Sequence, residues 1–518
     1  MTEGGPAGPT VASDDKRSAL LAALDGIVAG TLAIGSATLL AGIVTVLGLA
    51  GGQPSPVAAV AAAFIDRTPP WLKDFAIATF GTHDKLALLV GTLVVLAAVC
   101  AVVGLLSRWR ATVSLSVFVV VGAIGLAAVL SRPGAVAADA APTVAGVVLG
   151  LWYLARGTQP ATSGVAGNPS RRLVLGAAIG ATAAYVGWAV GGGAARATAS
   201  RLAAVGTLRV RRRVTVPEGA DLKLPGLTPF IVPNDEFYRI DTAFVVPRLD
   251  ADSWRLRVTG MVEREVEIDW NALQDKEMTE ALVTLTCVSN EVGGDLVGNA
   301  TWTGWPVREL LGMAGPRPGA DMVLQTSADG WTCGTPLGAL TDDRNALLAI
   351  RMNGQPLPFE HGFPARIVVP GLYGYVSACK WVTELKVTTF AADEGYWTPR
   401  GWSARGPIKT ESRIDVPQPF TDVPAGTVAV AGVAWAQHRG VAKVEVQVDD
   451  GPWRTARLAA DASIDSWRQW VLEWDAPRGS HTLRVRATDG TGQVQTGTSA
   501  PPAPDGASGW HTITVRVH

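Results

Sequence analysis

The sequence predicts a membrane protein in three parts: an all-α bundle of about five transmembrane helices, an α+β domain, and a C-terminal β-sandwich. Two observations carry this. Before residue 196 the chain contains long runs without charge, and after it come short alternating stretches bounded by turn residues. The 518 residues include 44 Lys+Arg and 45 Asp+Glu, so no global basic field argues for nucleic acid. Hydrophobic residues make up 48% and charged residues 17%, which is too apolar for disorder. Four cysteines in such a length exclude a disulfide scaffold.

From Ser18 to Ile65 the only ionisable residue is Asp25, and the runs 86–107, 111–131 and 173–195 carry no charge. A hydrocarbon core needs about 20 apolar residues per helix, so each run can span it. With the shorter run 140–156, the predicted spans are 26–50, 86–107, 111–131, 140–156 and 173–195. Val57–Ile65 is too short to cross and reads as interfacial. Lys16 and Arg17, Arg108 and Arg110, and Arg156, Arg171 and Arg172 flank alternate ends of the spans. Those segments are expected in the cytoplasm, and everything after residue 195 outside. Ser170-Arg171-Arg172-Leu173-Val174-Leu175 reads either as a positive-inside anchor or as an internal twin-arginine export signal. The only histidine of this half is His83, outside the apolar runs, and no Cys-x-x-Cys-His occurs. No haem is therefore expected, and the scarcity of intramembrane charge argues for an anchor rather than a transporter.

The boundaries follow: a cytoplasmic tail over 1–17, the transmembrane region over 18–195, a linker over 196–216, the α+β domain over 217–414 and the sandwich over 415–518. In the sandwich, Lys443–Val448 alternates strictly ahead of Asp449-Asp450-Gly451, and Leu483, Val485 and Ala487 alternate ahead of Asp489-Gly490. Both are hairpin signals. In the α+β domain, Ala365–Pro370 and Trp381–Thr388 read as strands and Pro306–Met313 as a helix.

Cys287, Cys333 and Cys379 lie in the soluble half without zinc-site spacing, as one disulfide and a free thiol or as three free thiols. Cys287 ends the strand-like run Ala281–Thr286 and enters the loop Val288–Gly294. A cysteine there can present a soft thiolate to a redox metal, or be an ordinary buried thiol. His361-Gly-Phe-Pro-Ala-Arg366, with Pro370-Gly371 and Lys380 downstream, can cradle a phosphate, although a lone histidine is often structural.

The same residues carry a resemblance. His361–Gly371 followed by Lys380-Trp381 is similar to the pterin-binding segment of the sulfite oxidase family of molybdenum enzymes. Pro233-Asn-Asp-Glu-Phe-Tyr-Arg239 resembles its opening motif and Thr286-Cys-Val-Ser-Asn290 its molybdenum-cysteine motif. Leu348–Pro358 resembles another signature, Ile408–Ile414 the hinge into its second domain, and Gly432–Trp453 its immunoglobulin-like dimerisation domain. The resemblance covers about 225–518.

It implies a sulfite-oxidase-like molybdopterin domain with Cys287 as metal ligand and a molybdenum–molybdopterin cofactor. Asn234, Phe237, Arg239, His361, Arg366, Ser377 and Lys380 would bind the cofactor, and Tyr396 is a candidate pocket tyrosine. It also implies a small-molecule or protein-bound oxo substrate, a separate cytochrome or quinone-linked electron partner, and a homodimer through the C-terminal domain. Two departures bear on substrate. Arg239-Ile240-Asp241 stands where the family has Arg-Asn-His, and Asn290 is followed by Glu291-Val-Gly-Gly294 rather than by sulfite-binding arginines. The expectation is a multi-pass bacterial membrane enzyme with an extracytoplasmic catalytic domain that reduces S-oxides or N-oxides. The alternatives are a sulfite dehydrogenase and a cofactor-free surface binding protein.

Overall fold

The computed structural model describes residues 11–69, 72, 79, 84–157, 169–203 and 208–518. His83 lies outside them. By contacts the chain divides into a helical unit, Met1–Thr198 with Thr242–Val245, and a β-rich unit, Ala199–Asp241 with Val246–His518.

In the helical unit, α1 is Val11–Val46, α2 Pro56–Arg67, α3 Asp84–Leu106, α4 Ala111–Leu130, α5 Ala137–Gly157 and α6 Pro169–Ala203. Among the described residues, five stretches are long and apolar enough to cross a membrane: Ser18–Val46, Ala87–Leu106, Ala111–Leu130, Ala137–Arg156 and Arg171–Val190. Helix α1 ends four residues before the predicted limit of the first span, because the chain turns at Gly48 with φ +68°. At the start of α5, the buried Asp139 accepts from the backbone N–H groups of Gly52 (2.8 Å) and Val136 (2.9 Å), lengthening the helix beyond the predicted 140–156.

Small residues let these helices approach closely, as membrane packing requires. A Cβ on Gly35 of α1 would collide with the Gly180 carbonyl of α6, and one on Gly26 with the Cys100 carbonyl of α3. Gly91, by contrast, faces open space. Gly35→Ala is expected to cost about 1–3 kcal/mol by overpacking, and Gly91→Ala to be neutral. Thermal unfolding of the two variants in detergent checks this. A polar node joins α1, α5 and α6. The Tyr153 hydroxyl donates to Asp25 Oδ1 (3.1 Å), and Arg172 donates to the Tyr153 carbonyl (2.8 Å) and lies 3.7 Å from Asp25. The second arginine of the Arg171-Arg172 pair thus also ties the bundle together.

The β-rich unit is built on four sheets among the described residues. The first runs 210–212, 278–286, 297–306, 347–352 and 366–368, with 355–356 added to 347–352. The second runs 266–269, 255–260, 382–388, 322–327 and 332–336. The sandwich pairs 411–416, 426–435, 468–476 and 457–458 in one sheet with 422–423, 511–517, 479–489, 441–448 and 454–455 in the other. Its alternation places Val444, Val446, Leu483, Val485 and Ala487 in the core with no exposure. Trp435 and Trp467, though in sandwich sequence, pack with Trp302 and Leu348 in the core of the first two sheets.

Candidate active site

The strand Met278–Thr286 delivers Cys287 to the start of a loop that braces itself. Asn290 Oδ1 accepts from Leu296 N (2.9 Å), Cys287 N donates to Leu296 O (2.9 Å), and Gly294 N donates to Glu291 O (2.9 Å). The sandwich holds both ends of this loop. Gln437 Nε2 donates to Thr284 O and Thr286 Oγ1, both at 3.0 Å, and Arg413 Nη1 donates to Gly294 O at 2.7 Å. The His511 ring packs directly on Gly293, where a side chain would collide with it.

Cys287 is 9% exposed and unpaired. Burial pushes its thiol above the ordinary value, while hydrogen bonds from Ser289 and the charge of Lys380 pull it down. Without a metal it is therefore a thiol, and metal binding must displace its proton. Cys333 and Cys379 are also free and wholly buried. Of the two arrangements expected for the three cysteines, three free thiols is the one present.

Three cations converge nearby. Lys380 Nζ donates to Asp241 Oδ2 (2.5 Å) and Glu360 O (3.1 Å), and Arg239 Nε donates to the same carboxylate (2.9 Å). Arg366 is 5% exposed. It donates to His361 O (3.2 Å), its guanidinium carbon lies 5.0 Å from the Trp302 ring centroid, and its buried Nε has no partner among the described residues. Burial lowers Lys380 to about 8 against the raising effect of Asp241, and lowers Arg366 to about 10.

His361 Nε2 lies 3.0 Å from Asn234 O, an acceptor only, so Nε2 carries the proton and Nδ1 is left as acceptor. Burial, and then Arg366 and Lys380, push His361 down to about 4. Between pH 4 and its ordinary 6.5, the unfolded chain binds a proton that the folded chain refuses, so stability rises with pH across that window. His361→Gln should flatten this slope, read from melting temperatures of the cofactor-free protein at pH 4.5, 5.5 and 6.5.

The other expected residues divide. Phe237 packs edge-on against His361 (5.5 Å) and Trp302 (6.0 Å). Asn234 meets His361 through its carbonyl, and its side chain is committed to Asn353 (2.9 Å) and Met352 O (3.3 Å). Ser377 is fully buried and donates to Tyr373 O (2.9 Å). Tyr396 lies beneath Arg400 (3.7 Å) and edge-on to Trp397 (5.2 Å), within an aromatic group with Trp402 and Tyr375. Two participants escaped sequence reasoning. Tyr238 stacks on Phe237 (5.2 Å) and is raised by burial and by the neighbouring Cys287. Asp241, whose place in the sequence signals only a replaced histidine, is the carboxylate that organises Lys380 and Arg239.

Residues 243–397 match the family model described as the oxidoreductase molybdopterin binding domain. That stretch of the chain is thus similar to a molybdopterin-binding oxidoreductase domain. Rat (Rattus norvegicus) mitochondrial sulfite oxidase is 30% identical over 347 residues, covering 56% of this chain and 62% of the relative. The NADPH nitrate reductase of Fusarium oxysporum is 28% identical over 305 residues, covering 46% of this chain and 33% of the relative. The chain thus spans less than two thirds of the length of these curated relatives. Among solved structures, sulfane dehydrogenase SoxCD from Paracoccus pantotrophus aligns with a TM-score of 0.49 and 23% identity, over 59% of this chain and 88% of that one.

The residues around His361 and Cys287 fit a molybdopterin cofactor. Arg239 and Lys380 both pair with Asp241, and Arg366 lies with them around His361, a concentration of cationic groups that a phosphate monoester matches. The unpartnered Arg366 Nε supplies a further buried donor.

Proposed function

We propose that this protein is a membrane-anchored molybdopterin-dependent oxidoreductase that reduces an S-oxide or N-oxide outside the cytoplasm. The observation that carries the reading is the convergence of Arg239, Arg366 and Lys380 around His361, with a buried Arg366 Nε that has no partner among the described residues, beside the Cys287 loop. A bound molybdenum–pterin group supplies two-electron oxygen-atom chemistry, and the protein binds and tunes it. Cys287 is the thiolate ligand. Arg366, Lys380 and Arg239 hold the phosphate, His361 Nδ1 accepts from the pterin edge, and Phe237 fills the space behind His361. Asn234 acts through its carbonyl by fixing the His361 tautomer. Ser377 and Tyr396 belong to the walls of the same site.

A neutral oxide suits the loop beyond Cys287, whose only charged residue as far as Gly294 is the acid Glu291. Reduction consumes two electrons and two protons and releases water, with the electrons coming from a separate cytochrome or quinone-linked partner. Orientation rests on the cationic segments flanking the five apolar helices, and Arg171-Arg172 at the head of α6 acts as the twin-arginine export signal. The similarity to mitochondrial sulfite oxidases favours sulfite dehydrogenation as a second reading. Metal and pterin analysis of the matured protein, followed by assays with methionine sulfoxide, trimethylamine N-oxide and sulfite, tests both. One molybdenum per chain with turnover of an oxide supports the proposal. Turnover of sulfite alone selects the second reading, and matured protein holding neither metal nor pterin overturns both.

A further inference from the structure

A groove of about 430 Å³ opens between residues 407–411, 493–496 and 507–509, where the chain enters the sandwich, and Arg439 lines it too. That size suits a small molecule. Its charged lining is Lys409, Glu411 and Arg439. Lys409 Nζ donates to Asp505 Oδ1 (2.9 Å) and Gly506 O (2.5 Å). Arg439 Nε donates to Asp489 Oδ2 (2.9 Å), and its Nη2 to Ile408 O (2.9 Å) and Thr410 Oγ1 (3.1 Å). Both cations are therefore neutralised by carboxylates that do not line the groove. Glu411 is different. It is 5% exposed, and its buried Oε1 accepts no hydrogen bond among the described residues. A buried carboxyl without a donor is costly, and such a group in a native fold calls for a partner. Around it, Pro407, Ile408, Val494 and Ala507 offer apolar surface for a short hydrocarbon stem.

We propose that this groove binds a small organic cation, an ammonium or guanidinium group on a short alkyl stem, with Glu411 as its counter-ion. The groups facing Glu411 are Lys409, the Tyr373 phenol and, across the groove, Arg439 held by Asp489. Burial pushes the Glu411 carboxyl up to about 8, with Lys409 acting in the opposite direction. At pH 7 the unliganded acid is therefore mostly protonated, and an incoming cation displaces its proton. Gly509 of the lining sits against Val292 of the loop that follows Cys287, a Cβ there lying 3.6 Å from its Cγ2. The site does not depend on the cofactor.

Isothermal titration calorimetry of the full-length protein in detergent tests this with n-butylamine, butan-1-ol and butyrate at pH 6 and 7. Saturable binding is expected for n-butylamine alone, about tenfold tighter at pH 7 than at pH 6 because the acid must ionise. The heat should vary with the ionisation enthalpy of the buffer, reporting about one proton released per ligand. Glu411→Gln keeps the shape and should weaken binding at least about tenfold. No saturable heat from n-butylamine, equal binding of butan-1-ol, or undiminished binding by Glu411→Gln would each overturn the proposal. The comparison of amine, alcohol and acid on the wild-type protein decides the matter even if the variant fails to fold.

Discussion

Cys287→Ser is expected to abolish turnover while leaving the protein folded and the pterin bound. The thiol is nearly isosteric with the hydroxyl and is protonated when no metal is present, so the exchange should move the stability of the cofactor-free protein by less than about 1 kcal/mol. The loop around it is held by backbone and side-chain bonds from Asn290, Gln437 and Arg413, none of which involves the sulfur. The loss falls on the metal. A serine hydroxyl is a harder and far less acidic ligand than a thiol, and the proposed centre would use a soft thiolate. Changes one shell further out cost 10–100-fold in metal affinity or activity, so loss of the ligand should cost at least about 100-fold. Pterin quantification, molybdenum analysis and the thiolate-to-metal absorption band read the three consequences separately. A variant with unchanged turnover would remove Cys287 from the metal.

Asp241→Asn is expected to harm the cofactor-free protein more than the loaded one. Asp241 (5% side-chain exposure) accepts the 2.5 Å bond from Lys380 (10% side-chain exposure), and breaking such a buried pair leaves an uncompensated charge worth about 3–5 kcal/mol. The bond to Arg239 adds less, because a third of that side chain faces solvent. Asp241 also raises Lys380, which burial otherwise depresses, so its removal should drive the lysine further down and favour the neutral amine near pH 7. A bound phosphate would supply the missing negative charge. The fall in melting temperature should therefore be several degrees in protein matured without cofactor and clearly smaller in matured protein. Equal losses in the two forms would mean that no phosphate reaches these cations.

Some of this was legible without coordinates because its cause is local. Uncharged runs of about 20 residues define membrane-length helices through solvation alone, and five appear among the described residues. Alternation ahead of Asp-Gly turns defines sandwich strands through burial of one face, as Val444, Val446, Leu483 and Val485 bear out. Helix ends were less legible. The limit of α1 depends on a turn at Gly48, and the start of α5 on an aspartate that caps Gly52, 87 positions away.

The site divides in the same way. That Cys287 stands at a strand end, and that Arg366 and Lys380 are cations in a glycine- and proline-bearing stretch, follows from residues close in sequence. Whether an amide or hydroxyl points into the site depends on partners far along the chain. The Asn234 side chain turns to Asn353 and Met352, and only the fold shows this. Asp241 and Lys380 are 139 positions apart, and no periodicity could have paired them. The sequence by itself determined which segments are apolar enough for a membrane, which alternate as strands and which side chains can bind metal or phosphate, because hydrophobicity and functional groups are properties of single residues. The tertiary structure alone decided which cations share a carboxylate, which loop the sandwich braces and that Glu411 Oε1 is buried without a donor among the described residues, because those are properties of distances that chain folding sets.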